Sequence, residues 1–260
     1  MNKYYCANNE ELEKIPANTT HLTFGCNFDQ PVDNLPNSIT HITFGYNFNQ
    51  PVDNLPNSII HLTFGFHFNQ SVNNLPNSII HLTFRFYFNK PVDNLPCSIT
   101  HLTFGRDFNQ SVDNLPHSIT HLSFGCNFNQ SISKLPHSII YLKLGYLFKH
   151  QIDDVINFVK IFNFSDNNNN IYHRYKEKLN NKQIVFYSKN YYVYYKFNNF
   201  NYCDVFSCDY NVRVRNIAEL QYFTHNILLK KLTEYVFNPQ RLLRIVEKYN
   251  LTIEEYMDFL

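Results

Sequence analysis

The chain has 260 residues, 44% of them hydrophobic and 17% aromatic, with a formal charge of +1, which suits one or two domains with a sizeable core and argues against disorder. Eight basic and eleven acidic residues lie up to Asp154, and fourteen and ten beyond it, so neither part has the basic excess of a chain that lives on phosphate backbones. No run of about 18 apolar residues exists to span a bilayer, and the polar, acidic start MNKYYCANNEELEKIP is no signal peptide, so a soluble, intracellular protein is expected.

Residues 1–14 precede any repetition and are expected to form an N-terminal cap. From Ile15 to Asp154 seven units follow one another at a strict period of twenty, beginning at Ile15, Leu35, Leu55, Leu75, Leu95, Leu115 and Leu135, the last of them degenerate. No residue is inserted or lost, so each unit should lie in register on the one before. In the unit LPNSIIHLTFGFHFNQSVNN the apolar positions are the first (Leu55), fifth (Ile59), eighth (Leu62), tenth (Phe64), fourteenth (Phe68) and eighteenth (Val72). The stretch His61-Leu62-Thr63-Phe64 alternates polar with apolar and predicts a short strand with Leu62 and Phe64 inward. One unit cannot bury six such side chains. Seven can, if parallel strands about 4.8 Å apart turn each apolar position into a column.

Three further positions shape the turns. Pro at the second fixes φ at a corner, Gly at the eleventh permits φ > 0 after the strand, and Asn at the fifteenth can bridge to the neighbouring coil. Arg85 holds the Gly position of unit four, where a positive φ would cost about 1 kcal/mol or more. Glycine is therefore expected to be convenient there rather than obligatory.

Beyond Asp154 the period stops. Residues 155–164, VINFVKIFNF, are apolar enough to cap the open end of the stack, and SDNNNN after them reads as a polar boundary loop. Residues 165–260 are expected to form a small α+β module. In it KQIVFYSKNYYVYYKF alternates on both sides of Ser188-Lys189-Asn190 as a β-hairpin would. Downstream, IAELQYFTHNILLKKLTEYVF has helical spacing, Asn238-Pro239 opens a helix, and Thr252 with Glu255 makes a capping box. The fold class is thus a mainly β repeat solenoid with parallel, right-handed coils, followed by the α+β module.

The string LPNSITHLTFGxxFNQPVDN, as it stands across units two to six, resembles the FNIP repeat, a leucine-rich-repeat-like unit of amoebal and giant-virus proteins. Leu-Pro, His-Leu-Thr-Phe-Gly and Phe-Asn-Gln recur together at fixed offsets. The resemblance implies a leucine-rich-repeat-like solenoid used for protein binding, in host cytoplasm if the chain is viral. Several relatives carry an F-box before the repeats, which implies recruitment to a ubiquitin ligase; here 14 residues precede unit one, fewer than an F-box bundle requires. A non-enzymatic interaction scaffold is the first expectation, and a substrate-recognition subunit of a ubiquitin ligase the alternative.

Position seven forms a column of His21, His41, His61, His81, His101 and His121, completed by Tyr141. With Thr23, Thr43, Thr63, Thr83, Thr103 and Ser123 these side chains should point outward and stack. A regular array offers no pocket, carboxylate partner or mixed ligand set, so a structural ladder is expected ahead of a partner-contacting surface or a metal site. Two charged neighbours 5 Å apart in water would repel by about 0.8 kcal/mol. A ladder neutral at pH 7, and loosened toward pH 5, follows.

Catalytic chemistry finds little footing. Ser38, Ser58, Ser78, Ser98, Ser118 and Ser138 are identical by column, whereas a nucleophile is made unlike its neighbours. The Asp column (Asp33, Asp53, Asp93, Asp113) reads as a solvated turn edge, and no phosphate loop, HExxH or EF-hand pattern occurs. Cys6, Cys26, Cys97, Cys126, Cys203 and Cys208 include no CxxC pair and read as free thiols. No catalytic residue, metal or cofactor is expected; a hydrolytic or metal-dependent enzyme in the C-terminal module is a third reading.

The positions left free are the twelfth and thirteenth: Cys26-Asn27, Tyr46-Asn47, Phe66-His67, Phe86-Tyr87, Arg106-Asp107, Cys126-Asn127 and Tyr146-Leu147. The middle units gather Tyr46, Phe66, Arg85, Phe86, Tyr87 and Arg106, residue types that dominate interface hot spots, at positions where solenoids recognise partners. The competing reading is a semi-buried position that tolerates any large side chain. The partner is expected to be an unidentified protein, and not a membrane, a small molecule or a nucleic acid, the last because the repeats carry net negative charge.

Overall fold

The computed structural model describes residues 2–165, 169–175, 177–179, 182–187, 192–196, 203–207 and 210–214. They fall into two compact units, Met1–Tyr175 and Lys176–Leu260.

The first unit is a parallel β-solenoid. After β1 (Lys3–Cys6) and a one-turn helix α1 (Asn9–Leu12), the seven repeats supply β2 (His21–Phe24), β3 (His41–Thr43), β4 (His61–Thr63), β5 (His81–Thr83), β6 (His101–Thr103), β7 (His121–Ser123) and β8 (Tyr141–Lys143). Then come a second one-turn helix α2 (Asp153–Ile156), β9 (Ile161–Ser165) and α3 (Asn169–Tyr175). Strands β1 to β9 neighbour one another in chain order. The register advances by one whole unit each time, His21 facing His41, His41 facing His61, and so on to His121 facing Tyr141. Because sequence period and register coincide, each position becomes a row.

The rows are held by three repeated devices. The fourth-position serines donate to a carbonyl of the preceding coil, as Ser58 to Ile39 at 2.6 Å. The fifteenth-position Oδ1 accepts from the N–H one coil later, as Asn49 from Asn69 at 2.8 Å and Asn69 from Asn89 at 3.0 Å. Asn at this position therefore satisfies backbone that turns away from the strand ladder, which a buried or half-buried N–H requires. At the edge, Asn54 donates to Asp33, Asn74 to Asp53 and Asn114 to Asp93 at 2.9–3.1 Å, and Lys134 pairs with Asp113 at 3.0 Å.

Inside, Leu62, Phe64 and Phe68 are at most 1% exposed, with Ile59 and Val72 beside them. Tenth and fourteenth phenylalanines stack within a coil, Phe64 on Phe68 at 3.7 Å, Phe104 on Phe108 at 3.7 Å. Between coils the spacing depends on the side of the solenoid. Histidine rings lie 4.0–4.3 Å apart, tenth-position rings 5.1–5.8 Å, and fourteenth-position rings 6.0–6.3 Å. Strands are spaced at about 4.8 Å, so rings converge on the histidine side and spread on the other. The stack curves with the histidine face inside the bend.

The eleventh-position glycines correct an expectation. None of the glycines has φ in the left-handed region; what they permit is close approach. A Cβ on Gly45 would stand 1.9 Å from the carbonyl oxygen of Gly25, and one on Gly105 1.7 Å from that of Arg85.

Residues 155–164 take the form of an eighth coil. The period, expected to stop at Asp154, continues in Val155, Val159, Phe162 and Phe164 at the first, fifth, eighth and tenth positions, and β9 pairs in the same register, Tyr141 facing Ile161 and Leu142 facing Phe162. Val155, Val159, Phe162 and Phe164 are all fully buried. At the other end β1 lies parallel to β2, Lys3 facing His21, and buries Cys6.

In the second unit β10 (Gln183–Tyr187) and β11 (Tyr192–Lys196) form an antiparallel hairpin, Gln183 facing Lys196 and Tyr187 facing Tyr192. A second hairpin joins β12 (Cys203–Ser207) and β13 (Tyr210–Val214), Ser207 facing Tyr210. The helices expected from Ile217 onward, with Asn238-Pro239 and the Thr252/Glu255 box, lie outside the described residues.

Candidate functional site

Two rows of side chains stand on the inner side of the bend. One is the histidine ladder at the start of each strand. His21 to His121 stack face to face with interplanar angles of 7–25°, and Tyr141 continues the row at 5.9 Å. Where the preceding residue is threonine its hydroxyl meets the ring, Thr20 on His21 Nδ1 at 3.0 Å, Thr40 on His41 and Thr100 on His101 at 2.8 Å, Thr120 on His121 at 2.9 Å. Partial burial, and after it the neighbouring imidazoles, push His61 and His101 down to about 4. Burial likewise lowers His41, His81 and His121. From His41 to His121 the ladder is a neutral, half-buried row at pH 7. Among the described residues no group of three or more His, Cys, Asp or Glu is arranged to hold a metal ion.

The second row is the twelfth position, on the rim just after the strands. Tyr46 stacks on Phe66 with centroids 4.6 Å apart and 14° between planes, and Phe66 on Phe86 at 4.2 Å and 15°. The guanidinium carbon of Arg106 then lies over the Phe86 ring at 4.6 Å. Four consecutive units thus contribute to one continuous stack. Thirteenth-position rings meet it edge-on, His67 against Tyr46 at 5.0 Å and Tyr87 against Phe66 at 5.2 Å. Arg106 also reaches Asp107, Nε to Oδ1 3.8 Å.

Of the candidate residues, Tyr46, Phe66, Phe86 and Arg106 are brought into direct contact and Tyr87 against their edge, while Arg85 lies exposed one residue before Phe86. Tyr46 is 48% exposed and Tyr87 41%, while Phe66 and Phe86 are half-buried by their neighbours in the row. Such a row costs little to hold in place, because each ring is ordered by the next.

Sequence reasoning did not single out the sixth position. It is Thr20, Thr40, Thr100 and Thr120 in four units but Ile60 and Ile80 in the middle ones and Ile140 before Tyr141 in the degenerate last one, and Ile80 is 37% exposed. The signal was available as an apolar residue at a position where most earlier and later units carry threonine. An open groove of about 640 Å³ lies elsewhere, on the turn edge between Asp53, Asn74, Asn94 and Cys97. Within it Asn74 donates to Asp53.

Cys6, Cys26, Cys97 and Cys126 are free thiols. No helix among the described residues is long and apolar enough to cross a membrane.

Comparison with protein families matches the FNIP Repeat at residues 9–47, 31–67, 48–87, 68–107, 88–127 and 108–147, six overlapping segments that run through all the strands from β2 to β8. Among curated proteins nothing matches the chain.

Proposed function

The chain belongs to the FNIP repeat family, and on that premise we propose that it is a non-enzymatic scaffold that binds another protein along the inner side of its solenoid, at the histidine face and the rim beside it. The observation that carries this is the twelfth-position row. A repeat that holds eleven or more of its positions nearly constant varies here, and the variants in the middle units are Tyr46, Phe66, Phe86 and Arg106. Aromatic and arginine side chains ordered before binding lose little entropy on contact and dominate interface energetics. The serine column and the aspartates of the nineteenth position, engaged in hydrogen bonds between coils, support a framework role for these polar groups.

The test is affinity capture with the whole chain and with a variant in which Phe66, Arg85, Phe86 and Arg106 are all alanine, each checked for a cooperative melting transition above the temperature of the assay. Proteins retained by the first and released by the second support the reading. Equal retention by both would remove the rim from it, and recovery of ubiquitin-ligase subunits would favour the adaptor role over the plain scaffold.

A further inference from the structure

Two departures from the repeat coincide in units three and four, one on each flank of the histidine ladder. On the side before the strands, Ile60 and Ile80 replace the threonines that elsewhere meet the histidine ring, and Ile80 is 37% exposed. On the side after the strands, the same units place Phe66 and Phe86 at the centre of the rim row, with Arg85 exposed between them in the chain. Neither the isoleucines nor Arg85 is called for by the bonds between coils. Threonine at position six and glycine at position eleven are the residues that the hydrogen bonds and the close backbone approach favour.

The chemistry of the rim selects the occupant. Phe66 has both faces covered, by Tyr46 and Phe86, and Phe86 has both covered, by Phe66 and Arg106. A nucleic acid base has no gap to enter between them, and a cationic ligand finds no open face on either ring. What these rings turn outward are their edges, the positive end of the aromatic quadrupole. Beside them stand Arg85 and Arg106, the latter with a side chain 54% exposed. Positions six, seven, nine, eleven and twelve hold no acidic residue in units two to five. A surface of ring edges and guanidinium groups matches carboxylates and carbonyl oxygens.

We infer that units three and four are the recognition centre, and that they take an extended segment of a protein partner whose carboxylates meet Arg85, Arg106 and the ring edges while an apolar side chain covers Ile60 and Ile80. This rests on the scaffold reading above and narrows it. An extended chain suits the arrangement, since it can lie across the short strands and reach both flanks of the ladder at once.

The experiment selects binders to the full chain from displayed random peptides of about twelve residues. The winners are labelled with fluorescein and titrated against the wild type, Arg85→Gly, and the double variant Ile60→Thr/Ile80→Thr. Each substitution installs the residue that other units carry at that position, so the fold is retained, and melting curves verify it. Winners rich in Asp and Glu with at least one large apolar residue, losing affinity by about tenfold in each variant and again when their acids become amides, are the expected result. Neutral or basic winners, indifference to both variants, or competition by labelled oligo-dT at equal strength would overturn the footprint. Winners that bind but ignore the variants leave the scaffold reading standing, whereas that reading falls only if affinity capture with the whole chain also yields nothing dependent on the rim.

Discussion

The hydroxyl of Ser78 donates to the carbonyl oxygen of Ile59 at 2.6 Å, and the same bond recurs from Ser38 to Thr19, Ser58 to Ile39, Ser98 to Ile79, Ser118 to Ile99 and Ser138 to Ile119. Each ties one coil to the next at the corner that follows proline. Ser78→Ala leaves a half-buried carbonyl without this donor and should cost about 1 kcal/mol, a fall of roughly 2–4 °C in Tm for a unit of this size. Ser38→Ala with Ser118→Ala, four coils apart, should add. A Tm unchanged in the double variant would show that water replaces the hydroxyl at no cost.

Glycine at the eleventh position makes a sharper contrast. A Cβ on Gly65 would meet the carbonyl oxygen of Gly45 at 1.7 Å, but on Gly25, where no repeat precedes, the nearest atoms are Ala7 Cα and the Tyr5 hydroxyl oxygen at 3.0 Å. Gly65→Ala should therefore cost about 1–3 kcal/mol by forcing two coils apart, and Gly25→Ala clearly less. Equal losses in denaturant titration would mean that backbone entropy, and not close approach, is what glycine supplies.

These two rows also mark what could and could not be read from the residues. The strict twenty-residue spacing of Leu62, Phe64 and Phe68 with their counterparts specifies strand, register and core together, because only in-phase stacking buries all of them. The reason for glycine was not legible, since it depends on a carbonyl one coil away that no local pattern reports. The eighth coil was legible only in its apolar spacing: Val155, Val159, Phe162 and Phe164 follow Leu135, Ile139, Leu142 and Leu144 by twenty residues, while the polar and turn residues of the unit are gone. The hairpin of β12 and β13, in which Val205 faces Val212, was not legible, since its strands alternate over only a few residues. At the rim the residues Tyr46, Phe66, Phe86 and Arg106 were identifiable, but whether they offer faces or edges is decided by curvature, which brings neighbouring rings to 4.2–4.6 Å.

Rim and core phenylalanines should separate in the same measurement. Phe68 is fully buried, and Phe68→Ala should cost about 3–5 kcal/mol through lost burial and a residual cavity. Phe66 loses only two stacking contacts, each worth roughly 0.5–1.5 kcal/mol, together with the area they cover. Phe66→Ala should remain folded with a modestly lowered Tm, which is what makes it usable as a binding probe. Comparable destabilisation by the two would favour the semi-buried reading of the twelfth position.

The histidine ladder sets the response to acid. His61 and His101 are held down to about 4 by burial first and by neighbouring imidazoles second, against about 6.5 in an unfolded chain. His41, His81 and His121 are lowered in the same direction by burial. The folded-state values are depressed, so between these limits the unfolded chain takes up protons that the folded ladder refuses. Stability from this source is full above the unfolded value and is lost as pH falls from there toward about 4. Tm should therefore drop between pH 7.5 and pH 5, a range above the usual carboxylate titrations at about 4, so the histidines dominate it. Replacing His61 and His101 by asparagine should flatten that difference whatever it does to Tm at pH 7.5. Because burial outweighs repulsion between rings, added salt should restore only a small part of the loss; full restoration would reverse that order of causes. An undiminished difference in the double variant would place the acid response on other groups.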